Sequence, residues 1–240
     1  MKRKYTESQK SEIFYKAVKI VIAAFFILSC LAVLSLRWLN PPTSSFMMQR
    51  KLEAWWNDEE NFEFRHEWVD YNKISSYIKM AVITAEDQNF AYHRGFAIEQ
   101  IEKVINDYSN SKGLRGASTI TQQTAKNLFL YPAKNFFRKG LEAWFTILME
   151  SLLSKKRILE LYLNIAAFGD GIYGVKAATA KYFNTIPADL SKTQSALMAT
   201  SLPDPDRYNL AAPSYYMLNR RNWILQYMLY LGGQSYLKQL

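Results

Sequence analysis

The chain has 240 residues, of which 49% are apolar and 15% aromatic, so it can bury a sizeable core and is not an intrinsically disordered polymer. Its formal net charge of +9 fits an anionic partner, namely nucleic acid, an anionic membrane or a phosphate-bearing substrate. One cysteine and two histidines exclude an internal disulfide framework and a His/Cys metal site of the usual spacing.

The first predicted element is a helix that crosses a membrane. Residues 20–36 carry no charge, and at about 1.5 Å per residue they nearly span a hydrocarbon core of about 30 Å. Residues 1–19 hold six Lys/Arg against two acids, so the positive-inside rule keeps them in the cytoplasm. A cleaved signal peptide is the alternative, but the apolar run is long and no small-residue cleavage site follows it. We therefore predict a cytoplasmic tail at residues 1–16, a transmembrane signal anchor at 17–37 and one domain across the membrane at 38–240.

Between the anchor and the first helix of the domain, the pattern is weak. Residues 40–51 are typical of a Pro/Ser connector, and residues 51–71 are aromatic and charged without a clear period. Apolar residues then recur at helical spacing up to Ala85, which places Glu86 at the end of a helix. Residues 106–116 are predicted to form a polar, mobile loop.

Helices account for most of the remaining chain. Thr119 and Gln122 fit a capping box that opens one helix, and Ser191 and Gln194 fit another. Further helices are predicted at residues 137–154, 155–164, 175–183 and 217–231. The glycines of GDGIYG are predicted to stop the second of these helices. Scarcely any segment predicts a strand, so the expected fold class is mainly α.

Glu86 and Asp87 stand side by side, although adjacent carboxylates repel and one is usually harder to ionise beside the other. The simple explanation is an exposed helix end, where two solvated acids cost little. Taken alone, the stretch AEDQNFAYHRG favours that explanation. The motifs further along the chain favour a functional role.

Cationic residues gather in the next two motifs. In GASTITQQTAKN, Gln122 and Lys126 form an i,i+4 pair that would project from one side near a helix start, where backbone N–H groups favour anions. In RKGLE, the arginine and glutamate could be a surface ion pair worth only about 0.3–0.5 kcal/mol. Three more cations follow Lys126, at Lys134, Arg138 and Lys139. Such a cluster suits a pyrophosphate better than a solvated face.

Five stretches occur in a distinctive order: EDQNFAYHRG, GASTITQQ, RKGLE, KKRILELYLN and GIYGVKAATAKYF. Together they resemble the glycosyltransferase domain of bacterial peptidoglycan polymerases, and the chain looks closest to the monofunctional, membrane-anchored members of that family. The resemblance covers roughly residues 40–230. It implies a lysozyme-like fold with a helical larger lobe, a small jaw lobe near the membrane and a cleft between them, which residues 106–117 would gate.

The resemblance also implies a reaction. The donor is a growing glycan on a polyprenyl pyrophosphate, and the acceptor is lipid II, whose sugar hydroxyl attacks the anomeric carbon of the donor with inversion. Glu86 is the implied general base, Asp87 orders the motif as a hydrogen-bond acceptor, and Glu142 is a second essential acid that orients cations or a metal. Cations hold the leaving pyrophosphate in place of a protonating acid.

Substrate-binding roles are implied for Asp87, Phe90, His93, Gly116, Ser118, Thr119, Gln122, Gln123, Lys126, Lys134, Arg138, Lys139 and Lys155. A divalent cation, Mg or Mn, is the expected cofactor candidate, and no organic cofactor is expected. The expected location is the bacterial inner membrane, with the catalytic domain in the periplasm. Expected partners are lipid II, the lipid-linked glycan, the membrane and other cell-wall synthesis and division proteins, but not nucleic acid.

Three positions depart from the family pattern. Lys134 stands where an arginine is usual, and it keeps the charge but loses the bidentate fork. Ala97 and Ala167 each replace a frequent acid, which concerns only details of the cleft. Two rival functions remain open: a lysozyme-like enzyme that cleaves glycan, and a non-catalytic membrane scaffold that keeps the fold.

Overall fold

The computed structural model describes residues 7–97, 118–133 and 135–240. The predictions made for Gly116, for Lys134 and for the loop at residues 106–117 lie outside the described residues. The elements below follow in chain order within those ranges.

The helices are α1 (Glu7–Ser35), α2 (Ser45–Trp56), α3 (Ser76–Glu86), α4 (Ile120–Phe129), α5 (Phe136–Leu152), α6 (Lys155–Ile165), α7 (Gly174–Phe183), α8 (Lys192–Ala199) and α9 (Tyr215–Tyr230). The strands are β1 (Arg65–His66), β2 (Ala167–Gly169) and β3 (Ile172–Tyr173), and short 3-10 turns span Tyr71–Lys73, Pro187–Asp189 and Gly233–Gln239. The expected mainly α class is confirmed.

The anchor helix α1 starts further toward the N-terminus than predicted, and its stretch Ser11–Ser35 is long and apolar enough to cross a membrane. Its last turns pack on α5, where the Trp144 indole N–H donates a 3.0 Å hydrogen bond to the Ser29 hydroxyl. Val33 is fully buried in the same contact region. The anchor is therefore packed against the domain as well as joined to it.

Helix α2 corrects the prediction of a connector at residues 40–51. The Ser44 hydroxyl accepts a hydrogen bond from the Met47 N–H and caps the helix, which then runs to Trp56. The helix has only two buried residues, Met47 and Ala54, so its sequence carries no clear apolar period.

A small sheet, in the order β1-β3-β2, corrects the expectation of scarcely any strand. Strand β1 runs parallel to β3, and β2 runs antiparallel to it. Strands of two or three residues are too short to show a period of two in the sequence. The glycines expected to stop α6 lie instead in the β2–β3 hairpin, where Gly171 adopts a φ of 69° and passes close to the Glu63 carbonyl.

The core lies around two helices that are buried on nearly all sides, α3 and α6. Helix α4 packs on both α5 and α6, while α8 and α9 pack on α3. This arrangement brings the C-terminal end of α3, with Glu86, against the first turns of α4.

Candidate active site

Glu86 is the last residue of α3, and its carboxylate is tied to α4. The Gln123 side-chain amide donates a 2.7 Å hydrogen bond to Glu86 Oε2, and the Tyr162 hydroxyl from α6 donates to Gln123 Oε1 at 3.1 Å. Burial raises the pKa of Glu86, while the Gln123 hydrogen bond and the charges of Arg220 and Lys126 oppose that rise. A carboxylate with a raised pKa is suited to take up a proton near neutral pH.

Asp87, the next residue, points inward and is buried. Its Oδ1 accepts a 2.8 Å hydrogen bond from His93 Nε2, and its Oδ2 accepts a 3.0 Å bond from the backbone N–H of Ile120 at the start of α4. His93 Nδ1 in turn accepts from the Gly95 N–H at 3.0 Å, so the proton on this ring lies on Nε2. The two adjacent acids therefore have separate environments, and Asp87 joins the turn after α3 to α4.

Thr119 and Gln122 form the predicted capping box at the start of α4. The Thr119 N–H donates to Gln122 Oε1 at 3.0 Å, and the Gln122 N–H donates to the Thr119 hydroxyl at 3.2 Å. That hydroxyl also donates to the Gly95 carbonyl, at 2.7 Å. Both residues are buried, and their substrate-binding roles stay predictions. Ser118, just before the cap, is exposed.

Lys126 lies one turn beyond Gln123 on α4, half-buried, with its ammonium 5.4 Å from the centre of the Phe46 ring. Burial lowers its pKa, and the positive charges of Arg138 and Lys139 act in the same direction. The structure shows no hydrogen bond or ion pair from this ammonium to any residue within the described ranges. A cation held this way is available to an anionic ligand.

Glu142 corrects the view of RKGLE as a surface ion pair, because the carboxylate is buried. Arg138 Nη1 donates a 2.6 Å hydrogen bond to Glu142 Oε2, and the Lys139 ammonium bonds to Oε1. The buried Nε of Arg138 has no hydrogen-bond partner among residues 7–97, 118–133 and 135–240. Glu142 thus holds two cations in place, and one of them keeps an open donor.

Phe90 and Lys155 contact each other. Phe90 is fully buried, and the Lys155 ammonium sits 4.5 Å from the centre of its ring and 2.8 Å from Glu150 Oε1. Both side chains pack around the Asp87 turn in this structure, and their substrate-binding roles stay predictions.

Arg220 was missed by the sequence analysis. This residue of α9 donates a 3.2 Å hydrogen bond from Nη2 to the Ala85 carbonyl, and its charge opposes the rise in the pKa of Glu86. No local pattern signals it, because it lies 135 positions from Ala85. Tyr162, which holds Gln123, was also taken only as part of a core helix.

An open cavity in two chambers begins beside Lys126. The near chamber, about 310 Å³, is lined by Phe46, Asn127, Pro132 and Ala167 among others. The far chamber, about 690 Å³, is lined by Lys181, Tyr182, Asn209 and Ala211. Both chambers share Arg50, Glu53, Gly169, Asp170, Pro205 and Asp206. Their volumes are in the usual range for ligand pockets, and their walls carry both charges.

The side chains of this site do not fit a metal centre by themselves. Among the described residues no group of three or more His, Cys, Asp or Glu could hold a metal ion. Both oxygens of Glu142 are already bonded to Arg138 and Lys139. Mg²⁺ often takes only one or two protein carboxylates together with substrate phosphates.

The sequence model of the family described as Transglycosylase matches residues 54–229, which is most of the chain. The chain belongs to the transglycosylase family. Its lysozyme-like fold and its class, that of a glycosyltransferase enzyme, come with this membership and match the expectations from the motifs. In this transglycosylase, Glu86 stands at the end of α3, and Lys126, Arg138 and Lys139 stand on α4 and α5.

Alignments with similar proteins cover most of this transglycosylase chain. A biosynthetic peptidoglycan transglycosylase of Xylella fastidiosa is 42% identical over 224 residues, which cover 93% of this chain and 92% of that protein. Proteins of the same name from Pseudomonas syringae pv. tomato and Shewanella amazonensis are each 45% identical, over 212 and 219 residues. These alignments cover 88% and 91% of this chain, and 89% and 88% of the respective relatives. The single apolar helix near the N-terminus fits a single-pass membrane anchor.

Proposed function

We propose that this transglycosylase polymerises lipid II into the glycan strands of peptidoglycan and releases polyprenyl pyrophosphate. The observation that carries the proposal is that Glu86, a carboxylate with a raised pKa, lies near enough to feel the charge of Lys126, whose ammonium has no bonded partner among residues 7–97, 118–133 and 135–240. A base and a pyrophosphate site are the two groups that this reaction needs. The proposed setting is the periplasmic face of the inner membrane.

In the proposed step, the sugar hydroxyl of lipid II attacks the anomeric carbon of the donor from the face opposite the pyrophosphate. Glu86 takes the hydroxyl proton as the new C–O bond forms. The old bond between the anomeric carbon and the phosphate oxygen breaks, and its electron pair leaves with the pyrophosphate. Lys126 and the open donor of Arg138 stabilise that anion, so no acid has to protonate it.

The donor strand is proposed to lie in the two-chamber cavity. Its near chamber is lined by Asn127, the residue after Lys126. A sugar whose pyrophosphate contacts Lys126 would therefore lie in the near chamber. Ala167, one of the departures from the family pattern, lines the same chamber. The acceptor then approaches Glu86 from the side of Arg220.

Glycan cleavage is the second candidate, and the geometry favours it less. A glycosidase of the usual kind needs two carboxyl groups flanking the bond, one of them protonated as a general acid. Here both carboxylate oxygens of Glu142 are already bonded to Arg138 and Lys139. Other cell-wall synthesis and division proteins remain expected partners.

A direct assay separates these functions. The full chain in detergent or proteoliposomes is given either labelled lipid II or finished glycan, and products are resolved by gel electrophoresis. Polymer from lipid II supports the proposal. Shortened glycan with no polymer supports a cleaving enzyme, and no product from either substrate supports a scaffold.

A further inference from the structure

A group of tyrosines lies close in the chain to residues that line the far chamber. Tyr208 lies in the turn that contributes Asp206 and Asn209 to the far chamber. Its ring stacks on Tyr216 of α9, with ring centres 5.4 Å apart and ring planes at 19°. We call Tyr208, Tyr215 and Tyr216 the tyrosine platform.

The tyrosine platform is unusually open for a cluster of large apolar rings. Tyr216 has 55% of its surface exposed and Tyr215 has 81%. The stack with Tyr208 occupies only one face of the Tyr216 ring, so its remaining surface faces solvent. Exposed aromatic groups beside a polar cavity are typical of binding sites for ligands that have both apolar faces and hydroxyl groups.

Sugar rings are ligands of that kind. Their axial C–H groups form flat apolar patches that pack on aromatic rings, while their hydroxyl and N-acetyl groups hydrogen-bond to phenol oxygens and to nearby amides. Arg207, whose guanidinium lies 5.7 Å from the centre of the Tyr208 ring, adds a further polar donor.

The lining of the two chambers gives the cavity a direction. Asn127 lines only the near chamber, Asp206 lines both, and Asn209 lines only the far one. A polymer that begins at Lys126 and follows the cavity therefore passes Asp206 and leaves beside Tyr208. The next sugars would lie over the tyrosine platform.

We propose that the tyrosine platform binds sugar rings of the growing strand after they leave the far chamber, and so keeps the strand bound between additions. This inference rests on the proposed polymerase function. The occupant is the glycan of the enzyme's own product, because Tyr208 lies in the chain between Asp206 and Asn209, which line the cavity assigned to the donor. Loss of the tyrosine platform should shorten the product without slowing the first coupling of two lipid II molecules.

The test compares Tyr215→Ala, Tyr216→Ala and the double variant with Tyr230→Ala in the full chain. Tyr230 is a matched control because 84% of its surface is exposed, and it lies at the opposite end of the same helix, about 21 Å from Tyr216. The readouts are the length distribution of polymer, at enzyme far below lipid II concentration, and the initial rate of the first coupling. Since length follows the ratio of addition to release, loss of one stacking contact should shorten strands by about two- to tenfold.

Each outcome has one meaning. Shorter strands with an unchanged first coupling, an unchanged Tyr230→Ala control and recovery in Tyr216→Phe would support the platform. Strands of normal length from the double variant would overturn it, as would equal losses in the control. Strands of normal length together with loss of binding to another protein or to a second copy would assign the platform to that partner and overturn the glycan proposal. If wild-type protein makes no polymer at all, the proposed function fails instead of the platform.

Discussion

The amide of Gln123 donates to the carboxylate of Glu86 at 2.7 Å, and this contact opposes the effect of burial on the proposed base. Burial alone would favour the protonated carboxyl, which cannot accept a proton from the acceptor sugar. The hydrogen bond favours the ionised form. Because Tyr162 fixes the other end of the same amide, the donor group stays directed at Glu86.

Gln123→Ala should raise the pKa of Glu86 further, since a donor to the ionised form is lost. The base is active when ionised, so the acidic limb of the pH profile of kcat/KM should move to higher pH. Tyr162→Phe should move it in the same direction by a smaller amount. A pH profile that keeps its position in Gln123→Ala would contradict this role for the hydrogen bond.

Glu86→Gln should abolish polymerisation of lipid II, because general-base catalysis typically contributes about 10²–10⁴-fold. Folding should be preserved. A carboxyl whose pKa is raised in the folded state stabilises that state below its unfolded pKa, and the stability is lost as pH rises through the folded pKa. The neutral glutamine avoids that loss, so thermal unfolding at pH 7 should occur at the same or a higher temperature. Retention of more than about a tenth of the wild-type rate would remove Glu86 from the role of base.

Asp87→Asn should destabilise the fold. The carboxylate accepts bonds from both His93 and the Ile120 N–H, whereas an asparagine offers one oxygen and directs an NH₂ donor at another donor. A buried group left unsatisfied costs about 1–3 kcal/mol of the free energy of unfolding. Thermal or denaturant unfolding measures the change, and the exposed Asp189→Asn serves as the control. Equal stability of the two variants would show that the Asp87 charge is dispensable.

The prediction for Lys134 comes from the sequence alone. If its charge supports the pyrophosphate, Lys134→Arg should be near neutral or mildly improved, and Lys134→Ala should lose activity. A charge-assisted contact is worth roughly 1.5–3 kcal/mol, about 10- to 100-fold in kcat/KM if fully expressed in the transition state. An alanine variant within about twofold of wild type would mean that the side chain merely faces solvent.

Helix ends and caps were predicted well from the sequence. The contacts of individual side chains were predicted less well. Glu86 at the end of a helix and the capping box at Thr119 were both foreseen, because each rests on local spacing. Gln122 was also predicted to bind substrate, and that role stays a prediction. Its carboxamide oxygen closes the cap, whereas its neighbour Gln123, about 100° further round the helix, reaches Glu86.

Long-range partners were beyond any local pattern. Arg220 reaches the Ala85 carbonyl from a helix near the C-terminus, and an arginine in an aromatic helix has no period that announces this contact. Strand β1 pairs with β3, more than a hundred positions later, over two residues only. Helix α2 was missed for a different reason, since its start depends on one hydroxyl, that of Ser44.

Helix α1 and the residues after it are bonded to the domain at two places beyond the chain connection itself. The Arg157 side chain donates to the carbonyls of Leu36 and Leu39 at 2.7 and 2.8 Å, directly after the apolar stretch ends. The Trp144 indole N–H donates to Ser29 within that stretch. An unrelated transmembrane helix of equal length would lack the Ser29 hydroxyl, so it could tie the domain to a membrane without presenting the domain in the same orientation.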